Sequence, residues 1–190
     1  WPQVSLRDNA TTYRDSWIFQ SFNNPQRCVR PILPVANLMT HGILFSKKKP
    51  YTDFRDPLHE WSDYVVMHLA RGTMVKELYI TPELLNDAHW KVLGKAAAWA
   101  QKNQHRLINT VYVGGDPGAG AVYGYISWVD GQAVVTVRNP DRAEQVLEVP
   151  FDRSVYFRGE EGHDYRARVI YPFVEVMPWK LVSGQPIEIY

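Results

Sequence analysis

The sequence predicts a mixed chain, α/β in its first part and all-β in its second, and three observations carry that division. Up to about residue 115, short apolar runs alternate with segments of helical periodicity. From "AVYGYISWV" at Ala121 onward only strand-like runs remain, punctuated by turn pairs such as Asp130-Gly131 and Asn139-Pro140. Between the two lies the glycine-rich stretch "GGDPGAG", Gly114–Gly120, which reads as a joint between domains. The expected units are therefore residues 1–115 and 116–190.

The elements follow in order. "VSL" at Val4–Leu6 reads as a short strand, and "NATTYRDSWIFQSF" after it as a helix, with Tyr13, Trp17 and Ile18 at near-helical spacing. Asn23-Asn24-Pro25-Gln26 breaks it. Val29–Leu33 reads as a strand, followed by a structured loop that carries Asn37 and His41. "LHEWSDYVVMHLAR" reads as a helix that stops at Gly72, where a residue without Cβ ends it cheaply. "MVKELYI" alternates and reads as a strand. The next helix is expected to start at Thr81, with Thr81 capping the first amides, Pro82 at the first helical position and Glu83 at the positive end of the dipole. Its core stripe is expected at Leu85, Ala88, Val92, Ala96 and Trp99. In the second part, "QAVVTVR", "EQVLEVPF", "SVYFR", "YRARVIYPFVEVM" and "PIEIY" read as antiparallel strands.

Composition bounds the function. The 190 residues are 45% apolar, 22% charged and 13% aromatic, with seven Trp and eleven Tyr, so there is material for a real core. A net charge of +1 gives no footprint for nucleic acid or a membrane surface. No apolar run approaches the roughly 18 residues of a membrane span. No signal peptide is visible, and the start at Trp1 suggests a cleaved product or a segment of something longer. A single cysteine, Cys28, allows neither an internal disulfide nor a cysteine-based zinc site. "HEWSD" places His59 and Asp63 one helical turn apart, but an exposed amphipathic helix explains them better than a metal. "GGDPGAG" lacks the Lys-Ser/Thr of a phosphate loop and is followed by a strand.

Three strand-to-helix junctions, after Leu6, Leu33 and Ile80, are where chemistry can sit. In a (β/α)8 barrel the catalytic groups lie at the C-terminal ends of the strands. Three strands cannot close a barrel, so residues 1–115 read as its last strand–helix units. Arg7 and Asp8 occupy the first junction and His41 the loop after the second. Asp8 is either a helix cap or an acid/base, and Arg7 either an ion-pair partner or a clamp for sugar hydroxyls and carboxylates. His41 either binds a sugar hydroxyl or holds its loop. Glu77, mid-strand, needs a partner, with Arg7 and Arg71 as candidates. Trp17 and Trp61 are the better candidates for a cleft; Trp90 and Trp99 are expected in the core or at the domain interface.

"SLRDNATTYRDSWIFQ" resembles the segment of α-galactosidase-like glycoside hydrolases that carries a Ser-Asp-Asn motif at the end of the sixth barrel strand. "RPILPVANLMTHGI" resembles the next strand and its His-containing loop. "LARGTMVKELYITPELL" resembles the last strand and helix, and "YGYISWVDGQAVVTVRNP" the start of the C-terminal β-sandwich. A closer similarity is to gut-bacterial proteins, some labelled enterotoxin, with S-x-R-D at the first site and L-M-T-H-G-I at the second. The resemblance implies the C-terminal portion of a (β/α)8 barrel followed by an antiparallel β-sandwich. It places the family's acid/base on Asp8 and its histidine on His41. Ser and Asp are adjacent in the family motif but separated here by Leu6 and Arg7.

Carboxylate spacing gives a further constraint. Retaining glycosidases need two carboxyl groups about 5–5.5 Å apart. Asp8 and Asp15 are roughly 10 Å apart along a helix at about 1.5 Å per residue, too far for that pair. The family's nucleophile lies on an earlier strand, so the 190 residues alone are expected to be inactive. The resulting expectation is a retaining glycoside hydrolase fragment, with Asp8 catalytic and Arg7, His41 and Trp17 binding substrate. No metal or organic cofactor is expected. The expected partners are a carbohydrate and either the remainder of the barrel or a second copy covering the open edge, with no nucleic acid or membrane. The family favours a secreted or periplasmic location. The alternative is a non-catalytic carbohydrate-binding or protein-interaction module.

Overall fold

The computed structural model describes residues 6–23, 34–40, 42–47, 57–155, 157 and 162–189, with the backbone alone at 6–9 and 179. The expected strand at Val29–Leu33 and the residue His41 lie outside the described residues. The first element is helix α1, Leu6–Asn23. Its start at Leu6 takes in the last residue of the expected first strand. A strand β1, Ile43–Phe45, lies where a loop is expected; helix α2, Leu58–Ala70, and strand β2, Leu78–Ile80, follow.

Strands β1 and β2 pair in parallel, Ile43 opposite Leu78 and Phe45 opposite Ile80, with α2 as the crossover between them. A parallel bridge between Met39 and Val75 continues the pairing upstream. The two chains approach so closely that a Cβ on Gly42 would lie 1.9 Å from the Glu77 carbonyl oxygen. Only glycine fits there. Beneath this pair, α2 buries Trp61, Tyr64, Val65 and Leu69 against Ile43 and Phe45. Helix α2 ends where expected. Gly72 has φ +90, and a Cβ there would meet the Thr110 hydroxyl at 2.2 Å.

The next helix, α3, spans Asp87–Lys102 and begins later than Thr81. Residues Pro82–Leu84 form a 3₁₀ turn instead, and the Thr81 hydroxyl accepts from the Lys47 amide rather than capping. The cap is Asn86, whose side-chain oxygen accepts from the His89 amide at 3.1 Å. Leu85 inserts into the core just before that cap, which forces the chain to break between the two turns. The buried positions of α3 are Leu93 and Ala100, flanked by half-buried Val92, Ala96 and Trp99. A short helix α4, Gln104–Leu107, completes this half.

Strand β3, Val111–Gly114, precedes the glycine-rich stretch and pairs antiparallel with β4, Tyr123–Val129, across it. "GGDPGAG" therefore connects two strands of one hairpin. Its 3₁₀ turn at Pro117–Ala119 is capped by Asp116 and closed by Gly120 at φ +81. β4 pairs with β5, Gln132–Arg138, through the expected two-residue turn, with Asp130 at φ 51 and Gly131 at φ 70. Two further antiparallel pairs complete the described residues: β6, Leu147–Val149, with β9, Ile187–Ile189, and β7, Asp164–Val169, with β8, Glu175–Val182. The run "YRARVIYPFVEVM" is thus a hairpin and not one strand.

β4 is the pivot of the molecule. Six of its seven residues, Tyr123 to Trp128, are buried, so both faces are covered. Alternation sends Gly124, Ile126 and Trp128 to one side and Tyr123, Tyr125 and Ser127 to the other. Trp128 stacks on Phe151 at 4.8 Å and meets Phe157 and Tyr165 edge-on, in an apolar core shared with Val113, Leu147 and Val149. On the opposite side, Tyr123 and Tyr125 join Tyr112, Ile18, Val35 and Met67 in a second cluster against α1 and α2.

Candidate functional site

Arg7 and Asp8 fall in the first turn of α1. Trp17 lies on the same helix, 54% exposed, in a T-shaped pair with Tyr13 at 6.3 Å. Nine residues at about 100° each turn Trp17 to the side of α1 opposite Asp8, with roughly 13 Å between them along the axis. The helix therefore does not bring these two positions into one subsite. Seven residues bring Asp15 back to the face of Asp8, two turns further on. His41 lies outside the described residues. Trp61 is no cleft residue: it is fully buried, T-shaped against Phe45 at 5.2 Å, and its indole N–H donates to the His89 carbonyl. Trp90, by contrast, is 41% exposed.

The polar constellation that the structure does assemble centres on Asp15, which has no exposed surface. Its Oδ1 accepts from the Arg71 guanidinium at 2.9 Å and from the Tyr125 hydroxyl at 2.7 Å, and its Oδ2 from the Tyr123 hydroxyl at 2.5 Å. Arg138 lies 5.9 Å from the Tyr123 ring centroid and donates to the Tyr123 and Thr12 hydroxyls at 3.2 and 2.9 Å. Next on α1, Arg14 donates to the Tyr64 hydroxyl at 2.7 Å, which in turn accepts from the Leu44 amide and donates to the Gly42 carbonyl. At its rim the Ser16 hydroxyl donates to Asp116 at 2.7 Å. One helix thus ties the parallel strands, the end of α2 and the antiparallel sheet into one seam.

Charge and burial explain why the seam holds. Burial opposes the Arg71 charge, but the Asp15 carboxylate, together with Tyr125, Tyr123 and Tyr64, outweighs it and raises the guanidinium above its ordinary range. Burial first, and Asp15 second, push the Tyr123 and Tyr125 hydroxyls well up, so they remain neutral donors. Tyr112 stacks on Tyr123 with 9° between the rings and is raised by burial in the same way. His68, fully buried on α2, is lowered well below its ordinary value by burial and by Arg71, Arg14 and Lys76. Both its ring nitrogens lie without a hydrogen-bond partner among the described residues. With one guanidinium and two phenols on it and no exposed surface, the Asp15 carboxylate is an anchor that presents no face to a substrate.

Other expectations resolve locally. Arg71 pairs with Asp15 and not with Glu77, whose partner is the Tyr79 hydroxyl. Asp63 accepts a hydrogen bond from the Tyr171 hydroxyl, tying α2 to the β7–β8 hairpin. Among the described residues no group of three His, Cys, Asp or Glu side chains could hold a metal ion, and no helix is long and apolar enough to cross a membrane. The local sequence carries only a weak signal for the seam: "TTYRD" places polar residues on two adjacent helical positions per turn. "YGY" places two tyrosines on one face of a strand. Comparison with known proteins finds no matching family model, no matching curated protein and no matching solved structure.

Proposed function

We propose that this chain is the C-terminal part of an α-galactosidase-like retaining glycoside hydrolase and supplies its acid/base, Asp8. The supporting observation is the parallel β1–α2–β2 crossover, followed by α3, the short α4 and then antiparallel strands interrupted only by 3₁₀ turns among the described residues. That is the order of elements the end of a (β/α)8 barrel with a β-sandwich requires. In this reading an aspartate outside the 190 residues attacks the anomeric carbon. Asp8 protonates the leaving oxygen and then activates water. Arg7 and His41 hold sugar hydroxyls, and no metal or organic cofactor takes part. Trp17 then serves a separate surface, because it faces away from Asp8. The protein would act outside the cytoplasm.

The expected result with an aryl α-galactoside is no turnover by the 190 residues alone. In a longer polypeptide that adds the missing strands, Asp8→Asn is expected to lower kcat/KM by about 10²–10⁴-fold. Turnover by the short chain, or unchanged activity of the variant, removes Asp8 from this role. The second reading, a non-catalytic carbohydrate-binding module, draws on the exposed Tyr13–Trp17 pair. Oligosaccharide binding by the short chain that Trp17→Ala abolishes and Asp8→Asn leaves intact favours that reading.

A further inference from the structure

A cavity of about 290 Å³ opens between the end of α2, β2 and the α3–α4 helices. Three of its lining residues are polar: Lys76, Gln101 and Gln104. The other lining residues among those described are apolar, from α2 (Leu69), the connection after it (Met74), β2 (Leu78) and the helices beyond. The described lining thus carries one positive charge and no negative one. We propose that this cavity binds a small amphipathic monocarboxylate, its apolar tail among the leucines and alanines and its carboxylate on the Lys76 ammonium.

The position of Lys76 supports that head-group site. Its Nζ donates to the Thr73 carbonyl at 2.6 Å and to the Leu69 carbonyl at 3.3 Å. These two bonds hold the ammonium in one place, and an ammonium has a third proton to give. Burial, and then Arg71, lower the Lys76 pKa to about 8, so the charged form lacks a full counter-charge. A carboxylate would supply it, through a charge-assisted bond in a partly desolvated setting. Gln101 and Gln104, one turn apart at the rim, offer amide donors to the second carboxylate oxygen. An apolar lining with a few convergent polar groups is the usual make-up of a small-ligand pocket. The site is separate from Asp8 and does not depend on the hydrolase reading.

The test is calorimetric titration of the chain with sodium decanoate, with decanol and decyltrimethylammonium as controls of equal tail length. Decanoate is expected to bind at least tenfold more tightly than either control. Ala97→Trp, which fills the cavity, is expected to abolish binding, and Lys76→Met to weaken it at least tenfold. Equal binding of decanoate and decanol, no decanoate binding at millimolar concentration, or binding unaffected by both variants overturns the proposal. If Lys76→Met does not fold, the labelled Lys76 Cε resonance of the native chain decides. A shift on adding decanoate but not decanol supports the site, and no shift overturns it.

Discussion

The two faces of β4 bury similar aromatic bulk by opposite means. On one side Trp128, Phe151, Phe157 and Tyr165 pack ring on ring, with centroids 4.8–5.5 Å from the tryptophan. That contact is non-directional, and its strength scales with the area removed from water. On the other side Tyr123 and Tyr125 aim their hydroxyls at one carboxylate shared with Arg71. That contact is directional. Losing one partner leaves a charge stranded in a dry interior. The apolar face should therefore weaken in proportion to what is removed, and the polar face should fail as a unit.

The largest expected effect comes from breaking the polar face at its centre. Asp15→Asn should cost about 3–5 kcal/mol in denaturant unfolding, because Arg71 loses its only carboxylate contact in the described seam. The double variant Asp15→Leu, Arg71→Met should recover part of that loss. A single-variant loss under about 1 kcal/mol would sink the idea of a cooperative seam. Phe151→Leu on the apolar face should cost less, about 1–2 kcal/mol, since a branched side chain refills most of the space. A loss equal to that of Asp15→Asn would erase the contrast between the faces. At the rim of the seam, Ser16→Ala removes one hydrogen bond to Asp116 and should cost about 0.5–1.5 kcal/mol. The smallest effect at neutral pH is that of His68. Its folded pKa lies below its unfolded one, so below about pH 6.5 the unfolded chain takes up a proton that the folded chain refuses. Stability is fully present above that pH and falls as pH drops. His68→Leu should flatten the slope between pH 7.5 and 5.5, and an unchanged slope would assign the loss to other groups.

Periodicity located most of the elements, for reasons that particular residues make plain. Helix α2 runs as read because its apolar residues and Gly72 agree. The β4–β5 hairpin runs as read because Asp-Gly permits the positive φ values its turn requires. Helix α1 is more instructive. Of Tyr13, Trp17 and Ile18, which mark its period, only Ile18 is buried; Tyr13 and Trp17 lie on the solvent side, while Thr11, Thr12, Arg14 and Asp15 are buried. A helix whose inner face is largely polar weakens the usual signal. Helix α3 starts at the Asn86 cap and not at Thr81 because Leu85 inserts into the core between them. Strand β1 escapes a reading by periodicity, since three residues beside two prolines and a glycine carry no period of their own.

By itself the sequence determined what depends on neighbours in the chain. It specified the helices α1 and α2, the turn at Asp130-Gly131, the change from mixed to all-β character and the charged pair at Arg7-Asp8. Only the tertiary structure decided which polar residues belong to the interior. Asp15 meets Tyr123 and Tyr125 across more than a hundred residues, and no local pattern encodes such a meeting. It also decided that Gly114–Gly120 connects a hairpin and that Lys76 lines a cavity. The physical reason is plainest at Asp15: a buried charge is tolerable only where partners from distant segments arrive together, and the fold alone brings them there.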